Sequence, residues 1–195
     1  MNVFRVKLVP IALIVLAISS FVSCGGKDSA DTNEPALVER EDVSSGEIGP
    51  DDAIPMPKDK SVLSITGLIS KPNDGKMTRL DLATLGEMPI VQLRVFEPFE
   101  KRKVTFEGVL MSDLMEIVGA EASATEVHFT ALDHYKVDLS LKEIDSKEIL
   151  LALKSDGKGM SVVDGGPTRI IFPPNSVSGR NSDMWIWNVK SMLVQ

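Results

Sequence analysis

From Ser61 onward the chain alternates short apolar runs with polar turn signals, and that pattern predicts many short strands. Val62-Leu63-Ser64-Ile65-Thr66-Gly67-Leu68-Ile69 alternates and is rich in branched residues, as a half-buried strand requires, and Lys71-Pro72-Asn73-Asp74-Gly75 closes it as a turn. Leu80 to Gly86 reads as a short helix ended by its glycine. Ile90–Phe96 and Lys101–Val109 read as strands. Ser112 is placed to cap a helix over Asp113–Val118 that Gly119 closes. Glu126–Leu132 and Tyr135–Leu139 pair as strands across Asp133-His134. A helical turn from Leu141 leads into Ile149–Leu153, an unbroken apolar run of the kind buried strands carry, and Asp156-Gly157 supplies a hairpin turn. Arg169–Phe172 and Ile186–Val194 complete the set. Many short strands with two or three short helices predict an α+β, mostly β domain.

Upstream the pattern changes. Arg5 and Lys7 precede an apolar run of fifteen residues, Leu8 to Val22, broken only by Pro10, and Ser23-Cys24 follows. Fifteen residues at about 1.5 Å rise span only ~22 Å, short of the ~30 Å hydrocarbon core. A charged front, a short apolar middle and a small residue before a cysteine predict a lipoprotein signal peptide over residues 1–23, with Cys24 as the lipidated residue. The competing reading is a short anchor helix followed by an incidental cysteine. Gly25 and Gly26, with no Asp at the second mature position, favour the outer membrane where that residue sorts lipoproteins. The expected location is the bacterial envelope, facing the periplasm.

Residues 24–60 are rich in Asp, Glu, Ser, Gly and Pro and carry ten acids against four bases. Such a stretch cannot bury enough apolar surface to offset its ordering entropy, so the expectation is a disordered acidic tether. A flexible chain of that length has an end-to-end distance of ~30–36 Å. Residues 61–195 then form one domain with eighteen acids and fifteen bases. Its near-balanced charge offers no basic field for nucleic acid phosphates. Cys24 is the chain's only cysteine, so the domain can form no disulfide and present no thiolate to a metal. With two histidines and no thiol, no nucleophile triad is visible. The Gly157-x-Gly159 and Gly165-Gly166 pairs lie between strands and read as turns, not phosphate loops.

The order of pieces resembles a known family. Leu63-x-Ile65-x-Gly67 is followed by Leu80-Asp81-Leu82, Phe106-Glu107-Gly108-Val109-Leu110-x-x-Asp113-Leu114 and Ala131-x-Asp133-x-Tyr135. Ile149-Leu150-Leu151-Ala152, Asp156-Gly157 and Gly165-Gly166-Pro167-x-Arg169-x-Ile171-x-Pro173 come next. The set resembles the molybdopterin-binding domain of sulfite-oxidase-type oxidoreductases over essentially all of residues 61–195. In the family's enzymes a cysteine just past the strand equivalent to Ile90–Phe96 binds the metal. The corresponding stretch here is Phe96-Glu97-Pro98-Phe99, and a carboxylate is a poor substitute for a soft thiolate. The ending Trp185-Ile186-Trp187-Asn188-Val189-Lys190-Ser191-Met192-Leu193-Val194 is similar to that of small secreted members that stand alone. The resemblance implies a pterin-binding protein of the periplasm without the metal chemistry. Some such members work with membrane proteins that make or degrade cyclic di-GMP, so a transmembrane diguanylate cyclase or phosphodiesterase, or a histidine kinase, is the implied partner. Two alternatives stand beside it: an oxidoreductase holding molybdopterin noncovalently, and a ligand-free scaffold that binds proteins.

A pterin presents a donor pair on one edge and apolar faces. Its site needs a carboxylate or carbonyl for the edge and an aromatic clamp for the ring, and a charged acceptor meeting two donors adds both energy and geometry. Asp133 is a candidate for the donor edge, with His134 or Tyr135 alongside; the alternative is a turn aspartate satisfying backbone amides. Trp185 and Trp187, two apart, would face one side of a strand and stack on the ligand, unless they are core. Arg180 and Asn181 lie in a polar loop, Asn175 to Asp183, long enough to rim a ligand. Arg94 and Glu97 flank the vacated metal position, Arg169 reads as a buried structural arginine, and His128 as a surface or core histidine.

Overall fold

A computed structural model describes residues 39–146, 148–174 and 176–195. The signal peptide, Cys24 and the first part of the tether, residues 24–38, lie outside the described residues. Two sheets face each other across one apolar core. In sheet A the strands β1 (Glu39–Ser44), β4 (Ile90–Glu97), β5 (Arg102–Leu110), β8 (Leu150–Ser155) and β10 (Arg169–Ile171) lie in that order, with β9 (Lys158–Gly159) paired to β8. Sheet B runs β3 (Thr78–Leu80), β2 (Leu63–Gly67), β11 (Val189–Val194), β6 (Glu126–Ala131) and β7 (Lys136–Ser140). All pairs are antiparallel except β11 with β2. Three short helices, α1 (Leu82–Gly86), α2 (Met111–Ile117) and α3 (Leu141–Ser146), connect the strands. The fold is therefore mostly β with few helices, as the alternating pattern predicts.

The pleat explains the core. Along β4 the odd positions Val91, Leu93, Val95 and Glu97 are buried, while Arg94 and Phe96 point outward. Leu63 and Ile65 of β2, Phe129 of β6 and Met192 of β11 supply the facing layer. β5 and β8 approach closely because Gly108 has no side chain: a Cβ there would fall 2.0 Å from the Leu151 carbonyl oxygen. Asp156 and Gly157 turn β8 into β9 with φ of 46° and 75°, the hairpin geometry that an Asp-Gly pair favours.

Three expectations are corrected. The folded part begins well before Ser61. β1 pairs with β4 from Glu39↔Arg94 to Ser44↔Ile90, and Ile48 and Ile54 are buried in the core. All six β1 side chains are exposed, so no apolar pattern marks the strand. Backbone pairing and ion pairs hold it, and the Glu47 and Ile48 amides donate to the Glu87 carbonyl just after α1. Second, Ser112 does not cap α2. The helix starts at Met111, whose amide donates to the Ile149 carbonyl at 2.8 Å, and Leu110 precedes it with no side-chain cap. Third, the last strand starts at Val189 rather than Ile186, because Trp185 to Trp187 lie in the connection before it.

Candidate functional site

At the end of β4, Glu97 is fully buried. Its Oε1 accepts from Arg169 Nη2 at 2.9 Å, and its Oε2 accepts from the Glu100 amide in the tight turn that follows. Arg169, the first residue of β10, is 3 % exposed and reaches across the buried sheet face to make that pair. Its guanidinium lies 5.1 Å from the centroid of Phe106 and 4.8 Å from that of Trp187. Phe99 meets Trp187 edge-on at 5.2 Å between centroids. Burial pulls the Arg169 pKa down from its ordinary value, and the Glu97 carboxylate opposes that pull. Arg169 Nε is buried with no hydrogen-bond partner among the described residues. Arg169 also lines a depression of about 400 Å³ that it shares with Arg102, Lys158 and Asp164.

This centre brings together two of the expected site residues, Glu97 and Trp187, with Arg169 and Phe99. The other expected residues are elsewhere or already engaged. Arg94 lies on the opposite face of β4 from Glu97, paired with Glu39 at 3.3 Å, because one step along a strand reverses the side. Trp185 is 6 % exposed, packs edge-on against Phe172 and donates from Nε1 to the Gly179 carbonyl; it is core. The two tryptophans have separate neighbours because their segment is not a strand, so the two-residue rule does not apply. Asp133 Oδ1 accepts from the Tyr135 amide at 3.0 Å, the backbone-satisfying alternative, and His134 takes φ 70° to complete the turn. Tyr135 donates its hydroxyl to the Asp183 carbonyl at 2.6 Å. Asn181 caps the following 3-10 turn through the Asp183 amide, and Arg180 is exposed at the end of the turn before it. The sequence placed Arg169 as structural and left out Phe99. The aromatic just after the Glu97-Pro98 pair was the signal that could have found Phe99.

The family model for the oxidoreductase molybdopterin binding domain matches residues 53–192. The chain belongs to that family. No curated protein sequence matches it. Among solved structures it is similar to the sulfane dehydrogenase SoxCD from Paracoccus pantotrophus, with a TM-score of 0.55 and 15 % identity. That likeness covers 68 % of this chain and 37 % of the other, so it bears on the fold alone and this chain spans well under half of that protein. The family binds molybdopterin, which a pterin ligand for this chain is consistent with.

The donor set does not suit the metal of such a cofactor. Among the described residues no group of three or more His, Cys, Asp or Glu side chains is arranged to hold a metal ion. Glu97, the residue at the expected ligand position, has both oxygens engaged inside the protein. Withdrawing it would strand the Arg169 cation, and breaking a buried pair costs about 3–5 kcal/mol. The organic part fits better: the orphaned Arg169 Nε is a donor in want of an acceptor, and Trp187 is 38 % exposed.

Proposed function

We propose that this protein binds a pterin through its molybdopterin-type domain without metal-centred redox chemistry, and acts as a lipid-anchored sensor. The buried Glu97–Arg169 pair carries the reading. It fills the expected place of the metal ligand with a salt bridge that already satisfies itself, while leaving one arginine donor and one tryptophan ring for a flat heterocycle. A ring acceptor would accept a hydrogen bond from Arg169 Nε, and stacking on Trp187 would contribute ~1–3 kcal/mol. Cys24 is the proposed lipidation point on the periplasmic face of the envelope, with the outer membrane favoured. Ligand occupancy would be handed to a membrane protein that makes or degrades cyclic di-GMP, or to a histidine kinase.

The test is a thermal melt of the full chain with neopterin and neopterin monophosphate, beside metal analysis of protein purified from the periplasmic face. Ligand at ~100 times its dissociation constant stabilises by ~2.7 kcal/mol, roughly 5–10 °C for a chain of this size. A shift of that order that is lost in Trp187→Ala, with no molybdenum, supports the reading. Near-stoichiometric molybdenum overturns it in favour of the oxidoreductase; no shift with any pterin overturns it in favour of the protein-binding scaffold.

A further inference from the structure

A second concavity adjoins the depression at Arg169 and shares Met160 with it, but none of Glu97, Phe99, Arg169 and Trp187 lines it. It is a groove of about 660 Å³ on the outer side of sheet B, between β2, β3 and the Met160–Pro167 segment. Val62, Met160, Pro167 and the exposed Leu132 give it an apolar lining. Lys60, Arg79 and Lys190 are its charged lining residues, and no Asp or Glu lines it. That is the reverse of the chain as a whole, whose net charge is −7.

The polar groups sort into committed and free. Arg79 is held by Asp74 at 2.9 Å. The Ser61 hydroxyl donates to the Leu63 and Leu80 carbonyls, and the Ser161 hydroxyl to Asp164. Among the described residues Lys190 Nζ has one hydrogen-bond partner, His134 Nδ1 at 3.3 Å, and neither Lys190 nor Lys60 has an ion pair. Two lysines with spare donors beside an apolar wall match a ligand with a flat apolar body and a compact anionic end. Lysine meets such an end as a point charge, with no need of a fixed fork geometry. The volume lies within the ~300–1,000 Å³ usual for small-molecule sites.

We propose that this groove binds a small aryl or heteroaryl phosphate, with Lys60 and Lys190 holding the phosphate and Val62, Met160 and Pro167 covering the ring. The proposal does not depend on the pterin reading of the other centre.

Isothermal titration calorimetry of the full chain in neutral detergent tests it, using 1-naphthyl phosphate, 1-naphthol and inorganic phosphate. Saturable binding of 1-naphthyl phosphate is expected, at least tenfold tighter than either of the other two. Lys60→Gln/Lys190→Gln should weaken it at least tenfold, while Lys136→Gln, outside the groove, leaves it unchanged. No saturable binding up to millimolar ligand overturns the proposal, as does equal affinity in the double variant or 1-naphthol binding as tightly as its phosphate. A neopterin melting shift that depends on Trp187 can persist through such a failure, so the two sites fail separately.

Discussion

The two concave regions of this protein differ in how far their polar groups are satisfied. At the Glu97–Arg169 centre, charge is buried, paired and roofed by aromatic rings. The groove beside sheet B instead sets exposed Lys60 and half-buried Lys190 next to apolar side chains. The buried pair keeps a single spare donor, Arg169 Nε, whereas a lysine beside an apolar wall has all its charge to offer an anionic amphiphile. Within one fold, then, the place where the family's enzymes hold a metal carries a buried ion pair with one spare arginine donor, and a neighbouring groove carries two lysines beside an apolar wall.

The sharpest way to break this contrast is Arg169→Met, which leaves Glu97 buried without its partner. We expect a loss of about 3–5 kcal/mol by chemical denaturation, with Glu97→Leu/Arg169→Met recovering most of it. A single variant as stable as the wild type would show that the buried pair does not hold β4 and β10 in place. Asp81 offers the next test, on the groove side. Burial alone would raise its carboxyl, but amides of Asp59, Thr84 and Lys58 and the Thr84 hydroxyl together hold it at about 2. Its folded value lies below the ordinary 3.8, so its contribution is complete above pH 3.8 and disappears as the pH falls through about 2. We expect about 2 kcal/mol of stability to vanish over that interval, and Asp81→Asn to flatten the acid limb of a pH–stability curve. Because Asp81 anchors the Lys58 and Asp59 amides at 2.9 Å, the same variant should also weaken naphthyl phosphate binding beside Lys60.

Smaller effects sharpen the comparison further. Trp187→Ala removes the ring over Arg169 and should cost about 0.5–2 kcal/mol, read by the same denaturation. Lys190→Gln should change stability by less than about 0.5 kcal/mol while reducing groove binding, since a surface cation contributes little to folding. A large stability loss in Lys190→Gln would mean that the groove, too, is structural.

The sequence made the sheets legible and the site only partly so. β4, β5, β8 and the α1 turn followed from apolar period and turn chemistry, since buried faces leave that imprint. β1 left none: its side chains are all exposed, and it is recruited by backbone pairing to β4, which composition does not encode. β3 was missed for a related reason, being three residues long within a polar turn region. Glu97 was found as the departure from a family position, but its partner lies 72 residues away on another strand, a proximity that only the sheet order creates. Asp133 and Asn181 show the opposite case. Both have the residue type that a ligand edge wants, and both use it on the nearest backbone amide.

β1 has a mechanical consequence. Its grip on β4 combines a short ladder with surface charges such as Glu39 on Arg94 and Lys103, whereas Gly46, just beyond it, is wedged so closely that a Cβ would meet the Met88 backbone. A load arriving through the chain before Glu39 would peel the strand one register at a time and then stop at that wedge. In single-molecule stretching, an early low-force step of roughly 20 Å, deepened by added salt, should precede the rupture of the rest.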